Sequence, residues 1–194
     1  MKHALTIAIL SMVLFAACSS NETPKTQYYL LSNPIVNTTV KAKSEQKPRV
    51  AITLLELPDY LKQPSLVLQL SDHQLHYSNF HMWAEPLQTS FTQALIQDTN
   101  NIDERFEYFA NDTAKQASTD LALFVNITAF HPTHQSQAIL VGNYWLEDKQ
   151  LNKLIKAENF TFTLALNKNG YGHAVTQMRN VITKLAKQIA NHEG

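Results

Sequence analysis

Between Leu121 and Phe130 the chain alternates with the period of a pleated strand. Leu121, Leu123, Val125, Ile127 and Ala129 fall on one side, and Ala122, Phe124, Asn126, Thr128 and Phe130 on the other. Pro132 is expected to stop the run. Ala138–Leu146 and Glu158–Leu166 have strand-like composition and are joined through Glu147-Asp148-Lys149, so three successive strands predict an antiparallel meander. After the turn Lys168–Gly172 the period changes. From about Ala174 to Asn191, Val175, Met178, Val181, Ile182, Leu185 and Ile189 form one helical stripe, with Gln177, Arg179, Lys184, Lys187 and Gln188 expected to face out. A meander that runs into one amphipathic helix confines the chain to folds that lay helix on sheet.

The first half supplies the remaining elements. Gln27-Tyr28-Tyr29-Leu30-Leu31 reads as a first strand, and Asn33–Pro48 as a polar loop. Arg49–Leu57 is nearly continuous in apolar residues and closed by Pro58, which suits a central strand covered on both faces. Leu66–Leu70 and Gln74–Tyr77 bracket Ser71-Asp72-His73 as a hairpin. Trp83-Ala84-Glu85-Pro86 is expected to open a helix, because proline suits a first turn. Its buried face is Leu87, Phe91, Ala94, Leu95 and Ile96, with Asp98–Asn101 ending it. Arg105–Phe109 is a short strand. The expected class is α/β in the α+β sense: a single mixed, largely antiparallel sheet with two main helices packed on one face.

The N-terminus is a sorting signal. Lys2 and His3 precede the apolar run Ala4–Ala17, which at roughly 14 residues falls short of the about 20 needed to span a bilayer. The only cysteine, Cys18, ends the run, and Ser19-Ser20-Asn21-Glu22 follows. Leu14-Phe15-Ala16-Ala17-Cys18 resembles a bacterial lipobox, in which the thiol receives a diacylglycerol, the peptide is cut just before it and the new amine is acylated, giving three acyl chains. Phe15 departs from the leucine usual at that place. Ser19 resembles the default for outer-membrane sorting. The competing reading is an ordinary signal peptide cut near Ala17, with Cys18 a passive thiol. The expected organisation is a signal peptide over 1–17, a lipidated tether over 18–26, and one domain over 27–194.

Charge and cysteine content exclude several function classes. Loss of Lys2 with the signal leaves 15 basic side chains against 16 acids, so there is no electrostatic footprint for nucleic acid and no polybasic surface for anionic lipid. With Cys18 acylated, no thiol remains for a disulfide, and the fold must stand on packing alone. The covalent lipid on Cys18 is the only attached group expected; the chain carries no Gly-rich phosphate loop and no cofactor motif.

Catalytic constellations are missing from the sequence. His73 and His76 sit three apart in strand-like sequence and point to opposite faces. His131 and His134 flank Pro132 with no Glu or Cys at ligand spacing, and His81 and His173 are isolated near helix starts. All are expected as exposed turn or surface histidines. There is no Gly-x-Ser-x-Gly elbow, and Glu56, Asp59 and Glu85 are scattered. An enzyme is therefore not expected. Two segments stand out instead, Leu57-Pro58-Asp59-Tyr60-Leu61 and Trp83-Ala84-Glu85-Pro86-Leu87. Their aromatic residues serve one of two ends: Tyr60 plugs a sheet end and Trp83 staples the helix start, or both rings anchor a partner.

These segments, with the Tyr28-Tyr29-Leu30-Leu31 opening, the Gly142-Asn143-Tyr144-Trp145-Leu146 strand and the closing helix, resemble the PqiC family of auxiliary lipoproteins of ABC-type and MCE-type transport systems. The resemblance covers nearly the whole mature chain. Met82 stands where the family often carries a basic residue before the tryptophan. The resemblance implies a lipoprotein on the periplasmic face of the outer membrane of a Gram-negative bacterium. It implies a PqiB-like MCE tunnel protein and a PqiA-like inner-membrane protein as partners, and a ring-shaped homo-oligomer. The work implied is intermembrane lipid transport and envelope integrity. Two other classes compete: a periplasmic lipoprotein that carries one lipid in its own cavity, and an assembly lipoprotein of a secretion system.

Overall fold

The structure is a computed structural model and describes residues 24–32, 47–55, 57–111 and 119–191. The signal, Cys18, most of the tether, most of the Asn33–Pro48 loop and Glu56 lie outside the described residues. The elements are β1 (Gln27–Tyr29), β2 (Arg49–Leu54), a 3-10 turn (Asp59–Leu61), β3 (Ser65–Ser71), β4 (Gln74–Trp83), α1 (Leu87–Ile102), β5 (Glu107–Ala110), β6 (Leu121–Thr133), β7 (Gln137–Asp148), β8 (Lys153–Ala165) and α2 (Tyr171–Ala190).

The class is the expected α+β, but the strands divide between two sheets rather than forming one. The larger has the order β5-β2-β6-β7-β8 and the smaller β1-β4-β3. β2 runs parallel to both β5 and β6, while β6, β7 and β8 form the antiparallel meander. The division follows from where β2 stops. β2 pairs with β6 only along Leu121–Val125, and its last bond runs from Leu55 N–H to Val125 O. Pro58 and the 3-10 turn then carry the chain out of the sheet plane. The β3–β4 hairpin packs against β6 through β3 instead of extending the ladder.

Both helices lie on one face of the larger sheet, α1 over β2 and β5, α2 over β6, β7 and β8. The alternation read from the sequence sets that face. Leu123, Val125 and Ile127 of β6, Leu140 and Tyr144 of β7 and Phe160 of β8 are all buried, and meet Phe91 and Leu95 of α1 and Met178, Ile182 and Leu185 of α2. Phe124 and Trp145, cross-strand partners on the opposite face, stack at 5.2 Å.

Several boundaries differ from the sequence reading. β6 continues through Pro132 to Thr133. Past Val125 it has no β2 neighbour, so the missing N–H costs no ladder bond. Trp83 ends β4 rather than opening α1. α1 ends at Ile102, one residue past the expected Asp98–Asn101 terminus, and Arg179 and Thr183 of α2 satisfy the Asp98 carboxylate in its last turns. Gly142 sits opposite a bulge in β6, where a Cβ would lie 2.0 Å from the Asn126 carbonyl oxygen and 2.8 Å from the Phe160 ring.

Candidate functional site

The Tyr60 and Trp83 segments meet at the seam between the two sheets. In the 3-10 turn, Leu61 N–H donates to Pro58 O at 2.8 Å and Leu61 is buried. Lys62 Nζ lies 2.7 Å from Asp59 Oδ1 on the surface, and that lysine holds the Asp59 carboxyl below its usual range. Tyr60 Oη donates to Thr128 O at 3.0 Å, and its ring meets the edge of His131 at 5.9 Å. Burial, with Tyr77 nearby, pushes the Tyr60 phenol up to about 12. Trp83 is only 7 % exposed and belongs to the core cluster with Leu31, Leu61 and Leu87. Its backbone N–H donates to Pro64 O at 2.7 Å, and Ala84 N–H donates to Tyr29 O at 2.9 Å. The structure thus gives both aromatics a packing role. Trp83 offers no free face to a partner, and Tyr60 is half-buried.

Histidines that read as isolated are structural. His81 Nδ1 lies 2.8 Å from Tyr29 Oη, and its ring stacks on Tyr171 at 3.6 Å, joining β1, β4 and the start of α2. His131 is buried rather than exposed, because Pro132 lies inside β6 and not in a turn. Burial lowers its pKa. His134 lies 3.7 Å from Asp72. Among the described residues no group of three or more His, Cys, Asp or Glu side chains could hold a metal ion. No helix among them is long and apolar enough to cross a membrane.

The charged clusters fasten the two helices. Arg179, expected to face solvent, instead forms a bidentate pair with Asp98, with Nη2 2.6 Å from Oδ1. Thr183 Oγ1 donates to the same carboxylate at 2.7 Å. At the other end Asp103 accepts from Arg105 Nε at 2.9 Å and Tyr108 Oη at 2.9 Å, and Arg105 also donates to Ala190 O. Burial alone would raise the Asp103 carboxyl; the bonds from Arg105 and Tyr108 outweigh it and hold it down. Glu158 accepts from Lys156, Tyr144 and Gln188, each at 2.8 Å, and these hold its carboxyl at about 2. None of these carboxylates faces a second one, so no acid–base pair is assembled.

Among the described residues the crevice beneath α2 is small. Lying between sheet and α2 and lined by Val50, Tyr108, Leu123, Tyr144, Leu146 and Ile189, it holds about 20 Å³. That is room for about one water-sized group and far short of an acyl chain. What the chain does present is surface. Tyr28, Leu70, Leu75, Tyr77 and Phe80 are exposed on the smaller sheet, and Leu151, Leu154 and Ile155 at the β7–β8 turn and the start of β8. Sequence reading did not identify these residues as an exposed apolar surface. The long β8 strand, with its solvent-facing row of odd positions, was visible only from Glu158 on; Lys153–Ala157 escaped because lysines interrupt its alternation.

Comparison with known proteins agrees with this picture. The Intermembrane transport lipoprotein PqiC of Escherichia coli (strain K12) is 28 % identical over 190 residues, covering 97 % of this chain and 95 % of that protein. The PqiC of Shigella flexneri matches to the same extent. Among solved structures, an uncharacterized protein aligns with a TM-score of 0.71 at 21 % identity, over 86 % of this chain and 97 % of its own. Protein XCC0632 from Xanthomonas campestris aligns with a TM-score of 0.63 at 11 % identity, over 86 % and 90 %. These two share the fold. Residues 29–190, from the tyrosine that meets His81 to the last residue of α2, match one family throughout. The chain belongs to the family of ABC-type transport auxiliary lipoprotein components.

Proposed function

We propose that this protein is a subunit of a PqiABC-like intermembrane lipid transport system, held at the periplasmic face of the outer membrane by a lipid on Cys18. In this reading it docks as a ring-shaped homo-oligomer on a PqiB-like MCE tunnel protein, whose partner in the inner membrane is PqiA-like, and it supports envelope integrity without chemistry of its own. The observation that carries the reading is the similarity to PqiC along nearly the full length of both chains. The described residues support it: one buried cluster joins both helices to the larger sheet, charged pairs fasten the helices, and the crevice between sheet and α2 is too small for a lipid. A docking role needs surface and an anchor, and three acyl chains on Cys18 exceed the roughly two membrane signals that stable anchoring requires.

Fractionation of cells expressing the full chain tests the anchor. The wild-type protein is expected in the outer membrane. Cys18→Ala is expected to leave a folded domain that no longer sediments with it. Recovery of the variant in the outer membrane would overturn the anchor.

A further inference from the structure

The free edge of β8 is the longest stretch of strand backbone without a neighbour among the described residues. β8 pairs with β7 along its length and with no other described strand. Leu166 N–H donates to Ser136 O at 2.7 Å, just beyond the last pair of that ladder. In an antiparallel strand the N–H and C=O of one residue point to the same side, and alternate along the chain. From Lys156 onward even-numbered residues therefore turn toward β7; the register shift opposite Leu146 and Glu147 reverses the parity before that point. Ala157, Asn159, Thr161, Thr163 and Ala165 turn their backbone groups to the open side. The Thr163 carbonyl obeys this, accepting from Lys184 Nζ at 3.2 Å.

Edge strands are normally guarded by brevity, proline, bulges or outward charge. β8 has 13 residues and no proline, and its one register shift, at Ile155, lies before the stretch 157–165. Along 157–165 its solvent-facing side chains are Ala, Asn, Thr, Thr and Ala, none of them charged. Such an edge is built to be covered.

What covers it is indicated by the groove beside it. Between β8 and α2, Phe162 lies among Lys156, Lys184 and Lys187. The single acid there, Glu158, is already engaged by Lys156, Tyr144 and Gln188. Lys184 and Lys187 are exposed and have no carboxylate partner among the described residues. A strand added to β8 would lay every second side chain over this groove. We propose that the edge of β8 receives an extended segment of the partner protein as an added strand, and that this segment carries carboxylates at the alternate positions facing Lys184 and Lys187. Its intervening apolar side chains lie on the opposite face, next to Ala157 and Thr161. Backbone bonds supply the affinity and the alternating side chains the selectivity. The inference rests on the reading of the chain as a docking subunit, and names the surface that docks.

The test uses the full-length lipidated chain in a nonionic detergent. It is titrated with a fluorescent nonapeptide of alternating Val and Glu, and with the same peptide carrying Lys for Glu. Amide hydrogen exchange locates the contact. Only the acidic peptide is expected to bind, with protection at Ala157–Ala165. Thr161→Pro removes one outward N–H and no bond to β7; it is expected to weaken binding at least tenfold with the melting temperature unchanged. Lys184→Glu combined with Lys187→Glu is expected to weaken it tenfold and to flatten its salt dependence. Equal binding of both peptides, or protection elsewhere, overturns the proposal. So does binding of short-chain phosphatidylglycerol, added to the detergent solution, that needs the two lysines but survives Thr161→Pro, since the groove is then a lipid-headgroup site. Peptide indifference together with dissociation of an oligomer by Thr161→Pro assigns the edge to a second copy of the chain and also refutes it. These readouts report on the β8 edge alone, and so are distinguishable from failure of the docking reading, which co-purification from envelopes tests.

Discussion

Replacing Trp83 by alanine separates a packing residue from a docking residue. A tryptophan carries up to about 250 Å², and Trp83 is 7 % exposed, so about 230 Å² is withdrawn from water. At about 25 cal/mol per Å² that is worth up to about 6 kcal/mol. A compact denatured chain lowers the figure by about 10–40 %, and the remaining alanine keeps part of it. The expected loss is about 3–5 kcal/mol, as for other tryptophans removed from cores. In a domain of this size each kcal/mol shifts the melting temperature by about 2–4 °C. Trp83→Ala should therefore melt about 6–20 °C lower by calorimetry or circular dichroism, and Trp83→Phe should recover most of the loss. In a Trp145→Phe background, Trp83 emission should be blue-shifted and shielded from acrylamide. An alanine variant that melts within 2 °C of the wild type, or a quenchable Trp83, would refute the assignment of this ring to the core.

Three further outcomes follow from the same packing. Asp98→Ala strands the Arg179 guanidinium, 22 % exposed, and should cost about 3 kcal/mol in urea unfolding. Asp98→Leu combined with Arg179→Met should cost less than Asp98→Ala alone; additive losses would show that the pair is not coupled. Gly142→Ala drives a Cβ into the Asn126 carbonyl and should cost about 2–3 kcal/mol, read as a lower urea midpoint with an unchanged slope. His131 has its pKa lowered from 6.5 by burial, so the unfolded chain takes up a proton before the folded one does. Its contribution is whole above pH 6.5 and is lost as the pH falls below that value toward the folded pKa. Over that range His131→Asn should lose less stability than the wild type; equal slopes would show that the ring titrates normally.

Periodicity exposed the elements whose partners are near in sequence. The α2 stripe of Val175, Met178, Val181, Ile182, Leu185 and Ile189 is buried as read, and so is the Leu123, Val125, Ile127 face of β6. Contacts between distant residues were not legible. Arg179 and Asp98 are separated by 81 residues, and on a helical wheel Arg179 belongs with the polar face. His81 looked isolated because Tyr29 and Tyr171 flank it only after folding. The second sheet escaped for the same reason: a hairpin's composition gives no sign of whether it extends a ladder or packs across one. The candidate surface was half visible. Glu158–Leu166 reads as a strand, but which of its residues face solvent and that it has no second neighbour depend on the sheet order.

Purification of the affinity-tagged full chain from detergent-solubilised envelopes of its own host, with quantitative mass spectrometry of what accompanies it, tests the central claim most directly. The expected result is an MCE-domain protein of the PqiB kind enriched to a level comparable with the bait. Recovery of the chain free of any transport component, from envelopes in which that protein is present and intact, would contradict the claim.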